Sequence, residues 1–164
     1  MDEEEAIANL EAYAAQNDLR LIERAGSGIH GIVYLAEGNA ELGTAALKAH
    51  YSDEPFRRER DAYERLMEAG ITDIRGLEVP ALLDSDTKLR VLKMAFVMPP
   101  FLLDFASAWL DTRPEFSDEV WEDRRRKNEE QFGDRWPEVQ LILADLEGRG
   151  IYMLDPSPNN IRFR

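Results

Sequence analysis

Gly26-Ser27-Gly28-Ile29-His30-Gly31-Ile32-Val33-Tyr34-Leu35-Ala36-Glu37, followed by Thr44-Ala45-Ala46-Leu47-Lys48, is the stretch from which the fold is read. Its glycines stand in a G-x-G-x-x-G-x-V frame. Alone that frame is weak, because it also marks the dinucleotide-binding turn that leaves a strand and opens a helix. Here no helix follows. Ile32, Val33, Tyr34, Leu35 and Ala36 form a β-branched and aromatic run of strand character, and Leu19, Leu21 and Ile22 supply a shorter strand ahead of the glycines. The turn therefore joins two strands over 19–36, so its backbone can lie over a bound phosphate rather than beneath one.

After a Gly- and Asn-rich turn at 37–39, residues 44–50 form the next strand. Alternation puts Ala46 and Lys48 on one face, toward a ligand, and Leu47 on the other, toward a core. Residues 53–69 read as a helix, with acids and Pro55 near its start and Gly70 just past its end. Phe56, Tyr63, Leu66 and Met67 share one stripe of it, and Glu59 falls inside that stripe. A carboxylate on a buried face is costly unless paired. Lys48 is the nearest upstream partner; the alternative is that Glu59 reaches the stripe edge and pairs with Arg57 or Arg60.

Residues 79–83 and 91–98 read as two more strands, joined by the polar turn 84–88 and stopped by Pro99-Pro100. That makes five strands with one helix after the third. An acidic, amphipathic helix at 2–17, with Ile7, Leu10 and Tyr13 or Ala14 on one face, precedes them as a packing or interaction element. Beyond the prolines, 101–110 reads as a short apolar helix. The segment 112–135 is polar, its Arg-Arg-Arg-Lys run at 124–127 a solvated helix face. Residues 136–147 return to helical spacing through Trp136, Val139, Leu143 and Leu146.

The far end reads Met153-Leu154-Asp155-Pro156-Ser157-Pro158-Asn159-Asn160, before a short strand at 161–163. Asp155 and Asn160 stand in D-x-x-x-x-N spacing. In a phosphoryl-transfer site that spacing lets a loop present the aspartate to an attacking hydroxyl while the asparagine reaches a magnesium ion. By itself the same stretch is simply a good turn. His30, His50 and Ser27 lack partners at triad or metal-ligand spacing and read as structural or solvent-facing.

Composition sets the outer limits. The 164 residues carry a formal net charge of -13 and no cysteine. Such an acidic surface repels nucleic acid and anionic membrane, and without cysteine there is no disulfide framework, zinc-thiolate site or thiol nucleophile. No apolar run approaches the roughly 18–20 residues of a membrane span, and the acidic start is unlike a signal peptide. The expectation is a soluble, cytoplasmic protein.

Taken together, the glycine hairpin, Ala45-Ala46-Leu47-Lys48, the inward Glu59, two further strands, a proline-stopped linker, an apolar helix and Asp155/Asn160 occur in the order found in the protein-kinase superfamily. The chain resembles that superfamily over roughly 19–163. The resemblance implies an α+β kinase-like fold: a five-stranded antiparallel N-lobe sheet with its C-helix within 1–98, and a reduced, mainly helical C-lobe over 99–164. It implies ATP and Mg2+ as ligands. Gly26, Ser27, Gly28 and Gly31 would cover the phosphates; Val33 and Ala46 would sandwich the adenine; Val97 and Met98 would belong to the hinge that reads its edge. Lys48 would hold phosphates and be oriented by Glu59, Asp155 would be the catalytic-loop aspartate, and Asn160, with Asp155, would serve the metal.

Departures accompany the matches. Met153 and Leu154 precede Asp155 where most protein kinases carry His-Arg, and Ser157 replaces the usual lysine. The loop is closer to the D-x-H-P-G-N form of small-molecule and atypical kinases. No Asp-Phe-Gly follows Asp155, although that aspartate is the family's principal magnesium ligand. Three expectations stand side by side: a minimal kinase in which another carboxylate or Asp155 itself completes the metal site, a pseudokinase that binds nucleotide or a protein partner, and a fragment of a longer kinase. The phosphate acceptor, protein or small molecule, is left open.

Overall fold

The computed structural model describes residues 2–39 and 43–164. Its centre is a five-stranded antiparallel sheet in the order β1-β2-β3-β7-β6. The strands are β1 (Arg20–Ser27), β2 (Gly31–Glu37), β3 (Thr44–His50), β6 (Leu82–Asp86) and β7 (Val91–Ala95). The sequence-based count of five strands, with helix α2 (Asp53–Glu68) after the third, corresponds to this sheet. Three further helices, α1 (Glu3–Gln16), α3 (Asp118–Phe132) and α4 (Trp136–Glu147), make the protein an α+β fold.

The two faces of β3 explain how the sheet is covered. Leu47 and Ala49 point to one side, where Ala6, Leu10 and Tyr13 of α1 pack on them with Ile32, Ala36 and Val91. The helix begins on a capping box, in which the Asp2 carboxylate accepts from the Glu5 N–H and the Glu5 carboxylate from the Asp2 N–H. Ala46, Lys48 and His50 alternate to the opposite side. There α2 brings Phe56, Glu59, Ala62, Tyr63 and Leu66 inward. The larger core continues from α2 and β7 to Val139, Ile142 and Leu146 of α4 and to Ile161. Met67, expected on the buried stripe, is 46% exposed; the stripe turns through Ala62 instead.

Several boundaries move. β6 begins at Leu82 and runs to Asp86, where sequence placed a strand at 79–83 and a turn at 84–88. Pro80 has no N–H for the ladder. Polar Asp84 is accommodated because its carboxylate accepts the Tyr13 hydroxyl, and Asp86 caps the turn by accepting the Leu89 N–H at 2.8 Å. β7 stops at Ala95, short of Met98.

The expected helix over 101–110 does not form. β8 (Phe101–Leu102) and β9 (Trp109–Leu110) stand at the ends of that segment, after the short β4 (Asp73–Ile74) and β5 (Leu77–Glu78). β8 pairs antiparallel with β11 (Ile161–Arg162), and β9 with β10 (Ile151–Tyr152). Its amides are drawn off by distant partners: Leu103 donates to the Asn160 carbonyl at 2.9 Å, Asp104 to the Tyr63 hydroxyl at 3.2 Å and Phe105 to the Glu59 carboxylate at 2.7 Å. An N–H committed in this way cannot close a helical ring. With this loss, the part of the chain after residue 98 holds α3 and α4 among two-residue strands and irregular turns. It is not the mainly helical lobe expected.

Candidate functional site

The β1–β2 turn roofs a cavity of about 680 Å³ whose walls include Gly26, Ser27, Gly28, Gly31, Val33, Ala46, Lys48, Glu59, Val97, Asp155 and Asn160. Residues far apart in sequence and singled out by motif thus meet in one space. Met98 does not line it; that side chain is 63% exposed, beyond the end of β7.

The glycines divide by role. A Cβ on Gly31 would stand 2.2 Å from the Ala49 carbonyl oxygen, so glycine is needed there for β2 to lie against β3. A Cβ on Gly26 or Gly28 meets nothing within 4 Å. Packing does not explain those two, and their bare backbone faces the cavity.

At the cavity floor, Lys48 and Glu59 are both buried, at 7% and 0% exposure. Lys48 Nζ lies 2.8 Å from Glu59 Oε1, which removes the alternative of a local pair with Arg57 or Arg60. It also lies 3.1 Å from Asp104 Oδ1. Burial works against the ammonium charge, but Glu59 and Asp104 outweigh it and hold the Lys48 pKa above its ordinary value. Burial likewise opposes the Glu59 carboxylate, yet Lys48 and His50 hold it well below the usual range. Its two oxygens are fully engaged: Oε1 also meets His50 Nε2 at 2.7 Å, and Oε2 accepts from the Phe105 N–H. Burial next to this group pushes the Tyr63 hydroxyl far above its ordinary pKa. His50 is therefore neither solvent-facing nor idle.

Asp104 is the residue that sequence reasoning missed. It sits in left-handed backbone at φ +71°, a conformation that aspartate tolerates better than most residues. Its carboxylate also accepts the Ala106 N–H at 3.3 Å. Sequence assigned the metal to Asn160 with Asp155, or to another carboxylate in place of Asp155; Asp104-Phe105-Ala106, earlier in the chain, reaches the same cavity through β8 and its partner β11. The apolar stretch at 101–110 reads as a helix, and only the pairing with β11 exposes Asp104 as a site residue.

Asp155 occupies the rim, its side chain 64% exposed. Arg124 Nη1 lies 3.2 Å from its Oδ1 and 3.3 Å from the Leu154 carbonyl, with the guanidinium 4.8 Å from the Phe116 ring centre. Arg124 thus leaves the solvated face assigned to 124–127, while Arg125 and Arg126 stay on it, paired with Glu122 and Asp123. A second groove of about 520 Å³ lies between α3 and the 154–157 loop, and Asp155 lines both spaces.

Among the described residues no group of three His, Cys, Asp or Glu side chains is placed to hold a metal by itself, and no helix is long and apolar enough to cross a membrane. No protein-family model matches the chain, and no curated protein matches it.

Proposed function

We propose that the chain is a kinase-like protein that binds a magnesium nucleoside triphosphate, ATP by the resemblance of its motifs, and moves the terminal phosphoryl group to a hydroxyl acceptor. One observation carries the proposal: a buried ammonium, Lys48, is held between the carboxylates of Glu59 and Asp104 at the floor of a cavity roofed by Gly26 and Gly28. A cation fixed in this way contacts phosphate oxygens without the reorganisation a mobile lysine needs.

The donor set fits the metal as well. Magnesium is commonly bound by one or two carboxylates together with substrate phosphates rather than by an all-protein cage. Asp104 and Asn160, joined through the Leu103 N–H to the Asn160 carbonyl, would hold it, with Asp155 at the same cavity wall. A bound magnesium would neutralise phosphate charge there. Lys48 would bind phosphate oxygens and Glu59 would keep Lys48 aimed. Val33, Leu35, Ala46 and Met94 would give the base an apolar sleeve. Asp155 would orient the acceptor hydroxyl and take its proton. The β1–β2 turn would exclude water.

A second reading, nucleotide binding without transfer, is favoured by the Arg124 guanidinium on the Asp155 carboxylate, because the oxygen that Arg124 occupies is not free to accept a hydrogen bond from an acceptor hydroxyl.

The deciding experiment is thermal unfolding with magnesium and ATP. A ligand that binds only the folded state raises the melting temperature by mass action. A rise that disappears in Lys48→Ala is expected, and a flat response at millimolar nucleotide removes both readings. Transfer of γ-phosphate to an added acceptor, lost in Asp155→Ala, then separates kinase from binding module.

A further inference from the structure

Ser107 Oγ lies 2.9 Å from His30 Nε2, and both side chains line the cavity that holds Lys48 and Asp104. The contact joins the tip of the β1–β2 turn to the turn that follows Asp104. A hydroxyl within hydrogen-bond reach of an imidazole is the arrangement that activates serine as a nucleophile. Burial, chiefly, holds the His30 pKa below its ordinary value; Lys48 and His50 act in the same direction, while Asp104 and Glu59 oppose it. The ring is thus uncharged at neutral pH, and with its hydrogen on Nδ1 the Nε2 atom accepts from the Ser107 hydroxyl. Neither residue has a part in the transfer assigned to Asp155.

We infer that Ser107 is a phosphoryl acceptor within its own chain's nucleotide cavity, with His30 as its base. The inference rests on the nucleotide reading above. Ser107 Oγ attacks the terminal phosphorus of the nucleoside triphosphate. An Oγ–P bond forms while the bond from that phosphorus to the β,γ-bridging oxygen breaks, and its electron pair leaves with the nucleoside diphosphate. The Ser107 proton passes to His30 Nε2 and from there to solvent. The product, a phosphoserine of about -1.5 to -2 charge, replaces the Ser107–His30 contact and stands beside Asp104 in the space a second triphosphate needs. Modification is therefore a single event per chain that shuts the cavity to further nucleotide.

The test uses the full chain with magnesium and ATP, followed by intact mass and peptide mapping. One phosphate per chain, located at Ser107 and formed at a rate independent of protein concentration, is expected. His30→Ala slows it by about 100-fold or more, the usual contribution of a general base, and Ser107→Ala abolishes it. A readout without nucleotide is 15N NMR of the imidazole: His30 Nε2 is expected to be unprotonated at neutral pH and to shift in Ser107→Ala. The inference fails if phosphate lands elsewhere, if the rate scales with protein concentration, or if Nε2 carries the proton. If a non-hydrolysable ATP analogue raises the melting temperature but Ser107 stays unmodified with ATP, the self-modification is wrong and the nucleotide reading stands. If the analogue has no effect, both fall.

Discussion

Leu103 donates its backbone N–H to the carbonyl oxygen of Asn160 at 2.9 Å. That bond fastens a segment ahead of α3 to a loop beyond α4, and it carries Asp104 to the same cavity as Asn160 and Asp155. The site is thus closed by pairing between β8 and β11 rather than by chain order. Asp104 and Lys48 then share one ion pair.

Asp104 is expected to govern the metal dependence of nucleotide binding. Asp104→Asn keeps a residue that accepts left-handed backbone while removing the charge, so folding persists. The melting-temperature rise given by ATP should then be nearly the same with and without magnesium, whereas the native chain should require the ion for its full rise. Equal magnesium dependence in the two proteins would exclude Asp104 as a ligand.

Glu59 should dominate the acid limb of stability. Its pKa in the folded chain lies below the ordinary 4.5, so its stabilisation is complete above that value and is lost as pH falls toward the folded pKa. Glu59→Gln leaves Lys48 with Asp104 as its carboxylate partner and should destabilise the fold near neutral pH by less than the roughly 3–5 kcal/mol of a buried charge left wholly unpaired. Urea unfolding from pH 7 down to pH 3 should show the gap between native and variant narrowing below about pH 4.5. A constant gap would mean that Glu59 is not ionised in the fold.

The sheet and the Lys48–Glu59 pair were legible because they rest on local signals. Alternation put Lys48 and Leu47 on opposite faces, and helical spacing put Glu59 among Phe56, Tyr63 and Leu66. Asp104 was not legible. Its neighbours Phe101, Leu102, Phe105 and Ala106 are apolar at spacing a helix would also have, and what decides against the helix is capture of the Asp104 and Phe105 amides by Tyr63 and Glu59. Such tertiary competition leaves no mark on a window of sequence. Arg124 was hidden for a related reason: inside a basic run, nothing local distinguishes the residue that turns to Asp155 from those that pair along the helix.

The glycines give two opposite outcomes. Gly31→Ala forces a Cβ against the Ala49 carbonyl and should cost about 1–3 kcal/mol, the usual range for overpacking. Gly26→Ala meets open space, so its unfolding free energy should stay within about 0.5 kcal/mol of native, while the ATP-induced melting shift falls. Denaturant titration with and without nucleotide separates the two. Loss of stability in Gly26→Ala would give that glycine a structural role instead.

Arg124→Ala tests whether the cation on Asp155 restrains the site. The pair is largely exposed, and such pairs are worth at most about 1 kcal/mol, so the melting temperature should hardly move. If Asp155 serves as the proton acceptor, removing the guanidinium frees its Oδ1, and hydrolysis of ATP with water as the acceptor should rise several-fold. That gain should vanish in the double variant with Asp155→Ala. A fall in rate for Arg124→Ala alone would mean that the guanidinium positions Asp155 for transfer, since the same Nη1 also holds the Leu154 carbonyl and with it the backbone that presents the aspartate.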